Sequence, residues 1–470
     1  MTGCILQTLQ ADLVVIGSGP AGQKAAMQAA KLNKKVIVIE KSPHVGGSSL
    51  NSGTIPSKSL REAILDLTDF YKRSFYAQEK IERSISINDL NYRLHKVLDE
   101  QRTMLLRQFT KNNIQVIHGR ASFENAHTVK VTQDKEELSY LIETSYVIIA
   151  TGSKPRNPQD IPFDRHKVLD STRLLDIDYL PKSLLVLGGG IIGAEYASFF
   201  AALGTKVTVV DKKERMLSLL DYEVSSHLQD ALTKIGLRFM GGKEFASITH
   251  KDDKVVVKFK DHSEEAADML LYALGRVAEV EELCIDRVGL TLTGKGYIPV
   301  NALFQTAAAH IYAVGDVIGS PALASTSMEQ GRLAARHAFQ VETHHFPTFY
   351  PIGIYTIPEI SYCGYTEEEL KELGFKYEVG RAYYYEIARN QIIGNDPGMF
   401  KILFHVDTLE ILGIHIIGRE ATEVIHIGQV AMTFHAKIHY FVDQVFNYPT
   451  YAEGYRIAAL NGLNKVKHKR

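Results

Sequence analysis

Sulfur is scarce in this chain of 470 residues. Cysteine occurs only as Cys4, Cys284 and Cys363, an odd number at spacings that fit neither a disulfide framework nor a zinc site. A reducing compartment, the cytoplasm, is the expected location. Charge of one sign is missing as well: 53 Lys and Arg stand against 54 Asp and Glu, so no long-range field steers the chain to nucleic acid or to an anionic membrane. The amino terminus lacks the basic start and small-residue cleavage site of a signal peptide. The run from Ser183 to Gly204 is apolar enough to consider as a membrane span, but Gly188, Gly189, Gly190 and Glu195 interrupt it, and it reads as a buried strand followed by a helix. The basic tail, Lys465, Lys467, Lys469 and Arg470, reads as a solvated terminus. Neither a metal, a nucleic acid nor a membrane is expected as a partner.

The length exceeds what one ordinary core fills, so two or three domains are expected, and 45% hydrophobic with 23% charged residues is a globular composition. Leu13 to Ile16 reads as a buried parallel strand, followed by a glycine turn, an alanine-rich helix from Gly22, and a second strand from Val36 to Ile39 that ends in Glu40. The same order recurs from Leu184 to Val210, closed by Asp211. Between the two units Leu90, Leu94, Val97, Leu98, Leu105 and Phe109 repeat at helical spacing, one apolar face of a long helix. Val255 to Phe259 reads as a strand. Further on, Phe400, Ile402, Phe404 and Val406 point inward while Lys401 and His405 alternate with them, Asp407 to Glu410 turn the chain, and Ile411 to Ile417 return. That is an antiparallel α+β domain.

Gly17-Ser18-Gly19-Pro20-Ala21-Gly22 lies between the first strand and its helix. Its first glycine permits the turn, the second lets the backbone approach a pyrophosphate, and the third lets helix pack on strand, while the helix N-terminus faces the phosphates. Glu40, eighteen residues past Gly22, is placed to accept from a ribose. Gly188-Gly189-Gly190-Ile191-Ile192-Gly193 repeats the context, with Asp211 eighteen residues past its last glycine. Two dinucleotide sites imply electron transfer between two cofactors.

These features resemble the two-dinucleotide flavoprotein disulfide reductase superfamily over nearly the whole chain. Ala150-Thr151-Gly152 resembles the crossing between its nucleotide domains, Ile311 to Asp316 (IYAVGD) its second FAD signature, and Gly119-Arg120-Ala121 and Gly275-Arg276 also match. The resemblance implies an α/β fold with two Rossmann-like domains and an α+β dimerisation domain. The FAD-binding domain is expected over 1–152 and 276–345, the NAD(P)-binding domain over 153–275, and the C-terminal dimerisation domain over 346–470. FAD would be held by Gly17, Gly19, Pro20, Ala21, Gly22, Glu40, Gly47, Lys58, Gly119, Ala121, Thr151, Gly152, Asp316 and Ala324. NAD or NADP would be held by Gly188, Gly190, Ile191, Gly193, Glu195, Asp211, Lys212, Gly275 and Arg276. A homodimer is implied too.

One part of the pattern is missing. Where the superfamily carries two cysteines separated by four residues, Gly46 to Lys58 reads GGSSLNSGTIPSK, with Ser49 and Thr54 in their places, and neither hydroxyl can form or attack a disulfide as thiolate does. The C-terminal acid-base histidine is replaced by Tyr448, followed by Pro449 and Glu453. Lys58 and Glu195 match the pair that stands beside flavin N5 in the family, where a cation stabilises the charge of reduced flavin. The threonine in GTIPSK, the stretch Tyr355 to Ile360 and the block from Phe446 to Asn464 resemble the transhydrogenase branch. This implies hydride transfer from NADPH to NAD through flavin N5, by ping-pong kinetics and without a redox-active disulfide. That branch often keeps the first cysteine, whereas Ser49 stands here.

Asp211 suits a ribose 2′-hydroxyl and repels a 2′-phosphate, while Lys212, Lys213 and Arg215 would pair with a phosphate if they turned inward. Two alternatives therefore stand beside the transhydrogenase: an NADH-specific diaphorase that reduces quinones, dyes or oxygen, and a flavin-containing binding protein that turns over nothing.

Overall fold

The structure is a computed structural model that describes residues 5–72, 87–133, 138–394 and 396–468. Cys4, Lys469, Arg470 and the side chain of Lys467 lie outside the described residues. The chain divides into two compact units, one made of Met1–Leu60, Leu90–Arg156 and Gly275–Pro347, the other of Arg61–Asp89, Asn157–Leu274 and Thr348–Arg470.

In the first unit the sheet runs in the order Gln115–His118, Val36–Glu40, Ile5–Ile16, Leu138–Ile149, Thr128–Thr132, Arg120–Asn125, and Ile311–Ala313 also pairs with Leu138–Ile149. The first four of these strands and Ile311–Ala313 pair in parallel, which demands cover on both faces and explains their unbroken apolar runs. Leu13, Val15, Val36 and Val38 enter one core with the helices Pro20–Lys31 and Ile87–Lys111; Val14, Ile16, Ile37 and Ile39 enter another with Ile117 and Phe123. The long helix buries Leu90, Leu94, Leu98, Leu105 and Phe109 as its spacing predicts, with Val97 half-buried at the edge of the stripe. The first strand is three times longer than the apolar run from Leu13 to Ile16. It begins at Ile5 because it pairs residue for residue with Leu138–Ile149, and that partner, 133 positions away, carries no local signal.

The second unit holds a parallel sheet in the order Arg238–Met240, Lys206–Val210, Ser183–Leu187, Met269–Tyr272, Val168–Asp170. Lys254–Phe259 is the middle strand of a three-stranded antiparallel sheet. The C-terminal sheet is antiparallel throughout, in the order Ile352–Ile354, Ile360–Gly364, Ile411–Ile417, Met399–His405, Tyr377–Tyr383. The turn at Asp407–Glu410 falls where the sequence places it, held by His405 Nδ1, which accepts from the backbone N–H groups of Asp407 and Thr408 at 3.1 and 3.2 Å.

The alternation in Met399–His405 misleads in one respect. Phe400, Ile402 and Phe404 do enter the apolar core, but Lys401 does not reach solvent: only 1% of it is exposed. Both faces of this strand are covered, and the second face carries a polar row, Tyr362, His415, Lys401 and Arg381, set side by side across four strands. Lys401 Nζ lies 2.8 Å from Asp221 Oδ1, 3.1 Å from Glu223 Oε2 and 2.7 Å from Glu367 Oε2. Burial alone would lower the Lys401 pKa, yet Asp221, Glu367 and Glu223 outweigh it and hold the ammonium charged. Burial raises Glu367 in turn, but hydrogen bonds from Lys401, Lys371 and Tyr377 and the Lys401 charge bring it down to about 2.

Because these carboxylates titrate lower folded than unfolded, their stabilisation is complete near neutral pH and is lost as pH falls from about 4.5 towards about 2 for Glu367. Lys401→Met leaves Asp221 buried without its cation and should cost about 3–5 kcal/mol in urea unfolding at neutral pH. That deficit should narrow near pH 4, where protonation of the carboxylates relieves the unpaired charge. An equal deficit at both pH values would contradict the ion cluster.

Candidate functional site: two dinucleotide cradles

The first cradle is built on backbone. Gly17 turns the chain at φ +103°, where a side chain would also run into Ala150 O at 2.4 Å, and a Cβ at Gly22 would lie 2.0 Å from Gly17 O. Gly19 precedes the helix Pro20–Lys31, whose proline at the first turn forfeits only an N–H that has no intrahelical partner. Among the described residues no side chain caps this helix, so its leading N–H groups face a ligand position. Ala21 and Gly22 are buried against the helix Ala324–Ala338, whose Gly331 has no room for a Cβ because Ala21 O would be 2.1 Å away. Gly47, at φ +59°, packs on Gly19.

Glu40 is 5% exposed and closes the turn: it accepts from the Ser18 backbone N–H at 3.0 Å, from the Ser18 hydroxyl, and from Ser42 N–H at 2.8 Å. The Ser18 hydroxyl accepts in turn from Gly46 N–H at 2.8 Å. This bridging role of Ser18 was not visible in the glycine pattern. Gly119 donates to Glu40 O at 2.9 Å, and Ala121 is buried in the strand Arg120–Asn125 of the same sheet. Asp316 accepts from Ser153 Oγ at 2.6 Å, and Ser153 Oγ also accepts from Arg276 Nε at 2.8 Å. Gly275 and Arg276 thus belong to the first unit, with Asp316, while the other expected NAD(P) residues lie in the second. Thr151 Oγ1 is buried and has no hydrogen-bond partner among the described residues, beside Gly152 at φ +73°. An orphaned hydroxyl, uncapped helix N–H groups and a carboxylate at the strand end fit a dinucleotide.

The second cradle repeats the first. Gly188 is at φ +111°, a Cβ at Gly193 would lie 1.9 Å from Gly188 O, and a Cβ at Gly190 would meet nothing within 4 Å. Ile191 opens the helix Ile191–Ala202, uncapped by any side chain among the described residues. Asp211 accepts from Gly189 N–H at 2.6 Å and from Lys213 N–H at 2.8 Å, the counterpart of Glu40. Of the three basic residues that follow, Lys213 Nζ donates to Ser218 Oγ at 2.8 Å and Arg215 Nη2 to the carbonyls of Ser218 and Leu220 at 3.2 Å; Lys212 and Lys213 are both exposed.

Gly46 to Lys58 does not form one helix. A short helix Gly47–Asn51 ends where Asn51 Nδ2 donates back to Val45 O and Gly47 O at 3.1 and 3.0 Å, and a second begins at Thr54, so Ser49 and Thr54 stand on different segments. Lys58 is half-buried in the first unit, its Nζ 3.3 Å from Ser57 Oγ. Glu195 lies in the second unit, 4% exposed, and accepts from Tyr355 N–H at 2.8 Å. Ser198 accepts from Ile357 N–H at 3.1 Å. A buried pair, Arg61 and Glu359 at 3.0 Å, with Arg61 Nε donating to Thr356 O, fixes the other side of this segment. Arg61 was not singled out by sequence, because its partner is nearly 300 positions away. Tyr448 is 68% exposed, and Glu453 starts the helix Glu453–His468.

Residues 11–331 match the profile of the pyridine nucleotide-disulphide oxidoreductases, and residues 350–459 that of their dimerisation domain. The chain belongs to this family. Its curated relatives include the soluble pyridine nucleotide transhydrogenase of Mycobacterium tuberculosis (strain ATCC 25177 / H37Ra), 45% identical over 97% of this chain and 98% of that one. That of Pectobacterium atrosepticum is 42% identical over the same shares. Among solved structures, the HOCl-induced flavoprotein disulfide reductase RclA from Escherichia coli aligns with TM-score 0.86 at 27% identity, covering 96% of this chain and 99% of that one. LpdA from Mycobacterium tuberculosis aligns with TM-score 0.89 at 26% identity and the same coverage. The mixed α/β fold with two Rossmann-like sheets and a dimerisation sheet is thus that of the pyridine nucleotide-disulphide oxidoreductases.

The two cradles should fail separately. Gly22→Val should yield protein that does not retain flavin, read as loss of visible absorbance after purification. Gly190→Ala has room to fold and should keep the flavin while weakening nicotinamide-nucleotide binding about tenfold, or about 1.4 kcal/mol.

Proposed function

We propose that the chain is an FAD-dependent transhydrogenase that moves hydride between NADPH and NAD and uses no redox-active disulfide. The observation that carries this is the pairing of two complete dinucleotide cradles with Ser49 and Thr54 where a disulfide reductase needs thiols. The name shared by relatives at 41–45% identity over 97% of the chain supports it. Residues 1–152 and 276–345 would form the FAD-binding domain, 153–275 the NAD(P)-binding domain and 346–470 the dimerisation domain.

FAD, when bound, supplies a ring that takes up and releases a hydride equivalent. Gly17, Gly19, Gly22 and the start of the helix Pro20–Lys31 would receive its pyrophosphate, Glu40 a ribose, and Thr151 and Asp316 its remaining polar groups. Lys58 would place positive charge beside the ring. Gly190, Ile191 and Asp211 would hold NADPH and then NAD in turn at one site, which gives ping-pong kinetics. No described helix is long and apolar enough to cross a membrane. With only three cysteines, this fits a cytoplasmic enzyme.

A second reading, an NADH-specific diaphorase, draws on Asp211. Its carboxylate would oppose a 2′-phosphate by about 4 kcal/mol for unit charges about 4 Å apart at an effective dielectric of about 20. Arg215 is engaged within its own loop and Lys213 holds the neutral Ser218 hydroxyl, which leaves Lys212 and Lys213, both exposed, as the counter-charges. Anaerobic addition of NADPH decides between the two: the transhydrogenase predicts bleaching of the flavin and its return on adding NAD, and failure to bleach leaves the diaphorase. Lys58→Met should slow that bleaching about a hundredfold. Oxidised glutathione and lipoamide should not be turned over.

The C-terminal residues Val430, Phe434, Val445 and Tyr448 are exposed, Phe434 by 79% and Val445 by 93%, an apolar surface in keeping with a homodimer. Phe434→Glu should shift sedimentation at micromolar concentration towards the monomer.

A further inference from the structure

Asp211 to Asp221 joins the end of the strand Lys206–Val210 to the helix Tyr222–Lys234, and its two ends are held by different parts of the second unit. At the near end the Asp211 carboxylate is fixed by Gly189 N–H and Lys213 N–H, and Leu217 N–H donates to Gly189 O at 2.8 Å. At the far end Asp221, fully buried, caps its helix by accepting from Glu223 N–H at 3.0 Å and receives Lys401 from the C-terminal sheet at 2.8 Å. Glu367 N–H donates to the other Asp221 oxygen at 3.2 Å, and Glu368 Oε1 accepts from Tyr222 N–H at 2.8 Å. Arg215 ties the middle to this anchor: its guanidinium lies 5.1 Å over the Tyr222 ring and 4.0 Å from Glu368, while it binds the carbonyls of Ser218 and Leu220. Between the anchors Leu217 is held at φ +48°, a backbone conformation that a leucine adopts only under constraint.

We propose that Lys401 and Glu368, on the C-terminal sheet and its helix Glu367–Glu372, are positioning residues that set how well the nucleotide site accepts a 2′-phosphate. This rests on the reading that Asp211 faces the ribose of the nicotinamide nucleotide. A 2′-hydroxyl needs only Asp211, which the near anchor holds. A 2′-phosphate adjoins the same carboxylate and is accepted only if Lys212 and Lys213 offset it, and their placement follows from the path of the loop between both anchors. Loosening the far anchor should therefore weaken ligands bearing the 2′-phosphate and spare those without it.

The test measures binding of adenosine 2′,5′-bisphosphate and of adenosine 5′-monophosphate to the purified flavin-loaded protein by calorimetry, together with KM for NADPH and NADH. Glu368→Ala and Lys401→Met should each weaken the bisphosphate about five- to tenfold, the lower end of couplings between separated groups. Affinity for the monophosphate and kcat with NADH should change less than twofold. Glu368→Gln, which keeps an acceptor for Tyr222 N–H, should lie between Glu368→Ala and the unaltered protein. If Lys401→Met does not fold, the Glu368→Ala and Glu368→Gln variants carry the test alone. A parallel loss of both ligands, or of neither, overturns the proposal. If the unaltered protein does not bind the bisphosphate and NADPH does not bleach its flavin, the transhydrogenase reading falls and this inference falls with it.

Discussion

At each glycine turn a carbonyl oxygen points at the α-carbon five residues later, so closely that no side chain fits between them. A Cβ would stand 2.0 Å from the oxygen at Gly22 and 1.9 Å at Gly193. That contact lets a helix lie against its strand and brings the helix N-terminus over the strand end, where backbone N–H groups lack partners. Everything proposed for the two nucleotides depends on it, because the acidic residue at the next strand end then falls beside the turn. Glu40 reaches Ser18 N–H as Asp211 reaches Gly189 N–H. The chain uses one solution twice, and the two copies differ mainly in a hydroxyl: Ser18 links Glu40 to Gly46, a bridge that Gly189 cannot make.

Ser49 and Thr54, which by resemblance stand where the superfamily carries its two cysteines, sit in a locally self-sufficient frame. The short helix Gly47–Asn51 is held by Asn51, whose amide closes on Val45 and Gly47 and whose carbonyl oxygen accepts from Arg102 at 3.0 Å. None of those bonds needs a thiol. The chain carries hydroxyls at both positions, and its relatives include proteins named for nucleotide transhydrogenation while its structural neighbours include one named as a disulfide reductase.

Lys401 shows how charge can organise an interior. Three carboxylates surround one ammonium, two of them, Asp221 and Glu223, at the start of the helix that follows the nucleotide strand. Burying such a group is costly unless its partners are fixed. Removing one partner alone leaves the others as uncompensated buried charge, which is why the single substitution is costly.

Local patterns were enough to determine the elements whose signal is short-ranged. The glycine turns, the apolar runs at Leu13 and Leu184, the helical stripe from Leu90 to Phe109 and the hairpin at Asp407–Glu410 all follow from residues within a few positions of one another. Spacing also pointed to Glu40 and Asp211, since a βαβ unit has a nearly fixed length. What the tertiary structure alone decided are pairings between distant residues: the extension of the first strand to Ile5, the Ser153 link between Arg276 and Asp316, the buried Arg61–Glu359 pair, and Lys401, whose alternation with Phe400 and Ile402 placed it on the other face of the strand without showing that this face is covered. The reason is the same in each case. A sequence records whether a residue faces away from one core, but only the folded chain shows whether water or a second layer lies on the other side.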